Sequence, residues 1–164
     1  MKVIHIVGRK NSGKTTLLVE LIKELTLRGI KVATLKHSRH SHTLDTPDKD
    51  SFRHREAGAN PAAIVTAGTA GVFFKISEEE EPVNALLPLF SGCDILLVEG
   101  YINGAGEKIE VYRSEISQTP LATERGDIVA LITDEKIATT LDVIPRKEIS
   151  AIADYVCNLA GINR

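Results

Sequence analysis

No run of apolar residues in this chain approaches the ~18 needed to cross a membrane. The apolar run nearest the N-terminus, Val3-Ile4-His5-Ile6-Val7, is five residues long and broken by a histidine. It is too short for the apolar core of a secretion signal. Cysteine is scarce: Cys93 and Cys157 stand far apart, form no CxxC pair, and read as reduced or structural thiols. Charge of neither sign dominates. The formal net charge is -2 with 26% charged residues, so no global basic field recommends a nucleic acid partner. Internal repeats and linkers are missing as well. These absences leave a soluble, cytoplasmic chain with no membrane partner and a single domain spanning 1–164. With 164 residues and 43% hydrophobic composition, a sizeable core is available to it.

What is present is an alternation of apolar runs with helical patterns, the signature of an α/β protein with a mostly parallel sheet. Residues 3–7 read as a first strand. A helix follows from about 13 to 28, with Leu17, Leu18, Leu21, Ile22 and Leu25 on one face, and Gly29 stops it. Residues 30–35 read as a second strand, 36–49 as a loop rich in Ser, His, Thr, Asp and Pro, and 50–57 as a short helix. Residues 62–66 and 71–76 suggest a hairpin joined by Ala67-Gly68-Thr69-Ala70. The acidic run 78–81 suits the start of a helix over 83–90. Residues 95–98 are apolar at every position, as in a central strand covered on both faces. Strands at 109–112 and 128–132 follow. A last helix carries Ile149, Ile152, Ala153, Val156 and Ala160 on one face and ends at Gly161.

Directly after the first strand stands Gly8-Arg9-Lys10-Asn11-Ser12-Gly13-Lys14-Thr15, followed by Thr16. It matches GxxxxGK[ST] in full, between a strand and a helix, which is the context the motif requires. Glycines let the backbone approach an anion. The N–H groups of Asn11, Ser12 and Gly13 and the helix N-terminus then face the phosphates. Lys14 reaches the β and γ oxygens, and the Thr15 hydroxyl is a ligand for Mg²⁺. The expected architecture is therefore a three-layer P-loop NTPase domain, mostly parallel, with a possible antiparallel hairpin.

A magnesium site also calls for carboxylates. Glu99 closes the buried strand, at the sheet edge where ligands of open α/β sheets bind. It can ligate the metal, act through a water, or orient the attacking water. Asp50, or Asp45, in the segment after the second strand is a second candidate; the alternative for Asp50 is a helix cap. Lys36-His37-Ser38-Arg39-His40-Ser41-His42 holds three histidines in its last six residues. Lys36, His37, Arg39 and His40 are candidate contacts for an anionic ligand. A solvated loop and a metal site are the alternatives. The guanine-specific Asn-Lys-x-Asp tetrad is missing, but the strand at 128–132 ends in Thr133-Asp134. Asp134 can accept from guanine N1 and N2 or cap a helix beginning near Glu135, which leaves ATP and GTP both open.

Taken together, several segments resemble the molybdopterin-guanine dinucleotide biosynthesis protein B family over most of the chain. They are the phosphate loop, Lys36-His37, Asp45-Thr46-Pro47-Asp48-Lys49-Asp50-Ser51, Arg55-Glu56-Ala57-Gly58-Ala59, Leu97-Val98-Glu99-Gly100-Tyr101, Lys108-Ile109-Glu110-Val111-Tyr112-Arg113 and Thr133-Asp134. That family usually has a lysine where Ile102 stands, and Lys108 is the cation expected to reach the same cleft. The resemblance implies a dimeric, GTP-binding accessory protein with slow, Mg²⁺-dependent GTPase activity. Its partner would be the molybdopterin guanylyltransferase that joins GMP to molybdopterin, among other molybdenum-cofactor proteins. On matching positions, Gly8, Gly13, Lys14, Thr15 and Thr16 would hold phosphates and metal. Lys14 and Glu99 would serve catalysis, Thr15, Asp50 and Glu99 the Mg²⁺, and Asp134 the base. No arginine finger is identifiable in cis, in keeping with slow hydrolysis. The same loop would also serve a small-molecule kinase, or a binding module gated by nucleotide without useful catalysis.

Overall fold

The computed structural model describes residues 1–38, 44–77 and 79–162. Their contacts divide into two compact units, Met1–Ser38 with Leu87–Arg164, and Arg39–Leu86. The first unit holds β1 (Lys2–Val7), α1 (Lys14–Leu27), β2 (Val32–Lys36), β5 (Ile95–Glu99), β6 (Lys108–Val111), β7 (Ile128–Ile132), β8 (Asp142–Ile144) and α4 (Ile149–Ala160). The second holds α2 (Asp50–Glu56), β3 (Ala62–Thr66), β4 (Thr69–Phe73) and α3 (Pro82–Leu86).

Six strands of the first unit form one parallel sheet in the order β2-β5-β1-β6-β7-β8. The central β5 is buried at every residue, matching its unbroken apolar run. On one face Ile4, Ile6, Leu97 and Ile109 pack with Leu17, Leu21 and Leu25 of α1 and Ile152, Ala153 and Val156 of α4. The helical periodicity of both segments exists to supply this layer. The two helices are also tied by Arg28, which bonds Glu24, Asp154 and Ser150. α1 ends as the glycine predicts: Gly29 takes positive φ, and the N–H of Ile30 donates back to the Leu25 carbonyl.

The opposite face is polar where the sequence looks least so. His5, Lys108 and Glu110 are all at most 1% exposed. The connection 100–107 between β5 and β6 contains no helix, and its Gly104–Ala105 stretch lies against His5 of β1. The His5 Nε2 lies 2.9 Å from the Ala105 carbonyl. A Cβ at Gly104 would come within 2.4 Å of the His5 ring and 2.6 Å of the Tyr101 ring. Because His5 is fully buried, its ring has nowhere to go. We therefore expect Gly104→Ala to destabilise the protein by about 1–3 kcal/mol, the usual cost of overpacking. A lowered urea midpoint at unchanged slope would register it.

Several boundaries differ from the sequence reading. The second strand starts at Val32; Ile30 is buried as the residue that closes the helix stop. The hairpin turn is two residues, not four, since Thr66 pairs with Thr69 across Ala67-Gly68, with Gly68 at positive φ. The helix expected over 83–90 is α3 followed by a 3-10 turn, Leu87–Phe90, because Pro88 disfavours α geometry in the residue before it. Glu81 does cap α3, its carboxylate accepting from the Asn84 N–H at 2.9 Å. The helix expected near Glu135 does not form, and β8 was not foreseen. Among the described residues no helix is long and apolar enough to cross a membrane.

Candidate nucleotide-binding site

The parallel sheet places the C-terminal ends of β1, β2, β5, β6 and β7 along one edge, the edge at which open α/β sheets bind ligands. The loop 8–13 leaves β1 there. Gly8 has φ 145, and a Cβ on it would lie 2.5 Å from the Val111 carbonyl and 2.7 Å from Ser12 Oγ. Only glycine fits. Asn11 adopts φ 66, a left-handed conformation that asparagine tolerates better than most residues. Gly13, also left-handed, precedes the first helical residue, Lys14. No side chain caps this helix start, so the N–H groups of its first turn remain for an anion. Ser12 is buried, and its Oγ has no hydrogen-bond partner among the described residues. A buried hydroxyl left so is a cost that a phosphate oxygen would remove.

Lys14 Nζ donates to the Arg9 carbonyl at 2.6 Å, folding the side chain back over the loop. Burial pushes its pKa below the usual 10.5; Glu99 pulls it up again, and Lys36 adds repulsion. The neighbouring Thr15 Oγ1 donates to Glu99 Oε1 at 2.6 Å, and Lys36 Nζ bonds the same carboxylate oxygen. This grouping follows from the register, in which Lys36 lies opposite Glu99 on adjacent strands. A hydroxyl and a carboxylate in contact are the hard oxygen donors that Mg²⁺ prefers, so the residues fit that ion. Magnesium is seldom caged by protein alone and takes phosphate oxygens as further ligands.

Beyond the loop lies a groove of about 410 Å³, lined among others by Gly13, Thr16, Tyr112, Arg113, Thr133 and Asp134. Asp134 is exposed and, with no helix at Glu135, caps none. The groove thus runs beside the phosphate loop and carries exposed carboxylates, Asp134 and Glu115, acceptors suited to a base with N–H donors.

His37 stacks on Tyr101, the ring centroids 4.2 Å apart. Asp50 is the first residue of α2 in the second unit. Asp45 is buried and engaged, accepting from Ser51 Oγ at 3.1 Å and facing Arg55 at 3.4 Å. Arg39 and His40, with the rest of 39–43, lie outside the described residues. Lys108 does not reach the cleft. Its ammonium donates to the Gly104 carbonyl at 2.6 Å and the Gly106 carbonyl at 3.1 Å, and pairs with Asp127 at 2.8 Å. It pins the crossover, and with Arg125 it holds the Asp127 carboxyl well below the usual range.

Glu110 went unnoticed in the sequence. Its carboxylate accepts the N–H groups of Leu121 and Ala122 at 2.8 and 2.9 Å, fixing the 3-10 turn Leu121–Thr123 beyond β6. Burial raises its pKa against the pull of those two donors. A carboxylate alternating with apolar neighbours, Ile109 and Val111, was the available signal.

A family model described as "Molybdopterin guanine dinucleotide synthesis protein B" matches residues 3–134. The molybdopterin-guanine dinucleotide biosynthesis adapter protein of Haemophilus influenzae is 32% identical over 160 residues, 95% of this chain and 88% of its own. The protein of the same description from Escherichia coli is 30% identical over 150 residues, 88% of this chain and 85% of its own. A crystal structure of molybdopterin-guanine biosynthesis protein B (mobB) superposes with a TM-score of 0.75 at 26% identity, covering 97% of this chain and 99% of that one.

Proposed function

The chain belongs to the molybdopterin guanine dinucleotide synthesis protein B family, and from that membership we propose how its phosphate loop serves the biosynthesis of the guanine dinucleotide form of the molybdenum cofactor. It acts there as an adapter that binds GTP with Mg²⁺ and hydrolyses it slowly, in association with the enzyme that joins GMP to molybdopterin. One observation carries this reading: the phosphate loop borders a groove that Asp134 also lines, while the Thr15 hydroxyl meets the Glu99 carboxylate.

The backbone N–H groups of 11–14 and the Lys14 ammonium would bind the triphosphate and neutralise charge that grows as the γ-phosphoryl leaves. Thr15 and Glu99 would hold Mg²⁺, and the ion would supply charge neutralisation at the phosphates. Asp134 would accept from guanine N1 and N2, donors that adenine lacks. The outer face of the hairpin supports a homodimer: Ala63, Val65, Ala70 and Val72 carry no charge, and all four are exposed. An isolated two-stranded sheet gains stability by pairing, and sedimentation of the purified chain reads the outcome.

The decisive test is competition between GTP and ATP in the presence of Mg²⁺. We expect GTP to win by at least tenfold, and Asp134→Ala to erase most of that margin with little effect on ATP. Discrimination of this kind stems from leaving a polar edge unpaired. Preference for ATP in the wild-type chain would overturn the assignment of Asp134.

A further inference from the structure

The second unit contains a cavity of about 660 Å³ that the nucleotide site does not use. Its volume suits a small-molecule ligand. The chain has four phenylalanines and no tryptophan, and three of the four, Phe52, Phe73 and Phe74, line this cavity. None of the three is fully buried. Aromatic rings that pack a core are removed from water, whereas these leave ring surface facing a void. Arg55 lies over the Phe73 ring at 5.4 Å, and its guanidinium is held by buried Asp45. Such a stacked, anchored arginine presents its remaining donors in a fixed orientation. Lys75 and Glu56 also line the cavity, and both side chains are exposed.

This combination selects a ligand class. Flat aromatic walls favour a planar ring. Two cations favour an anionic substituent. Glu56, a carboxylate with no partner among the described residues, favours a ring edge carrying N–H donors. Resting on the cofactor assignment above, we propose that the cavity binds a phosphorylated pterin, its ring against the phenylalanines, its phosphate toward Arg55 and Lys75, and its amino-amide edge toward Glu56. The chain would then hold nucleotide and pterin in separate units.

The experiment titrates the full chain with neopterin phosphate, following pterin fluorescence, which no tryptophan in the chain obscures. Neopterin lacking the phosphate and inorganic phosphate serve as controls, and GTP binding is measured on every preparation. We expect saturable binding of neopterin phosphate that GTP does not displace. Phe73→Leu should weaken both pterins about tenfold, within the usual range for one lost stacking surface. Lys75→Gln should weaken only the phosphorylated one, by fivefold or more, and neither variant should alter GTP affinity beyond twofold. Lys75 is the preferred cation to remove, because Arg55→Gln would strip buried Asp45 of its cationic partner. Absence of pterin binding in a chain that binds GTP overturns the proposal and leaves the nucleotide reading standing. So does displacement by GTP, or indifference to both substitutions. A dimer that dissociates in Phe73→Leu, with no pterin bound by either form, would show that a second copy fills the cavity instead. Pterin binding without GTP binding would uphold this proposal and overturn the nucleotide assignment.

Discussion

Lys14→Ala should abolish measurable GTP binding at micromolar protein and reduce any GTPase rate by about 10²–10³-fold. One preorganised donor aimed at developing charge is worth roughly 3–4 kcal/mol, and Lys14 is the loop cation at the motif position that reaches the β and γ oxygens. The loop backbone should survive the change, because Lys14 makes one side-chain hydrogen bond, to the Arg9 carbonyl, and Gly8, Asn11 and Gly13 set the loop conformation. Loss of binding with an unchanged melting curve is therefore the expected pair of results. The lysine also predicts a proton linkage. Burial lowers its pKa in the free protein. A bound triphosphate favours the charged form and raises it. Between the two values binding takes up a proton, so affinity falls as pH climbs through the alkaline range. Titration calorimetry in buffers of different ionisation enthalpy reads that uptake, and Lys14→Ala should remove it. Wild-type turnover in Lys14→Ala would end the case for this site.

Glu99→Gln should uncouple nucleotide affinity from magnesium. In the wild type, Mg²⁺ is expected to tighten GTP binding; in the variant, affinity should become nearly the same with the ion or with a chelator, and hydrolysis should fall at least 10²-fold. The amide can still accept from Thr15, so geometry is kept while the anionic ligand is lost. Removing one partner of a buried ion pair can cost 3–5 kcal/mol when the other charge is left stranded. That penalty does not apply here, because the Lys36 side chain is 59% exposed and can turn to water. Stability should change by less than about 1 kcal/mol. A variant that unfolds, or one that retains full magnesium dependence, would contradict the roles assigned to Glu99.

The phosphate loop, the two long helices and the buried β5 were legible because each rests on local pattern: fixed glycine spacing, a 3.6-residue apolar stripe, an unbroken apolar run. The features that escaped are set by tertiary contact. β8 has three residues of which only Ile144 is buried, too little for any periodicity to register. Thr133-Asp134-Glu135 resembles a helix start, yet no helix follows it and the Thr133 hydroxyl accepts from the Glu135 N–H instead. Lys108 looks like a solvent-facing strand end; its burial depends on two carbonyls of the crossover and on Asp127, which stands 19 residues away (127 − 108). The second cavity was invisible because Phe52 comes from α2, whereas Phe73 and Phe74 come from the end of β4 and the residue beyond it. No spacing rule joins them.

The pairing order of the sheet has a consequence for biogenesis. β1 is made first, yet its two neighbours are β5 and β6, with Lys2 opposite Ile95 and Ile6 opposite Ile109. Until β5 and β6 have been made this apolar strand has no edge to dock on. Chain entropy must be surrendered over those long closures before the strand gains its partners. Folding of the sheet should thus be late and all at once, and truncated nascent chains ending before β6 should remain protease-sensitive and prone to capture by chaperones.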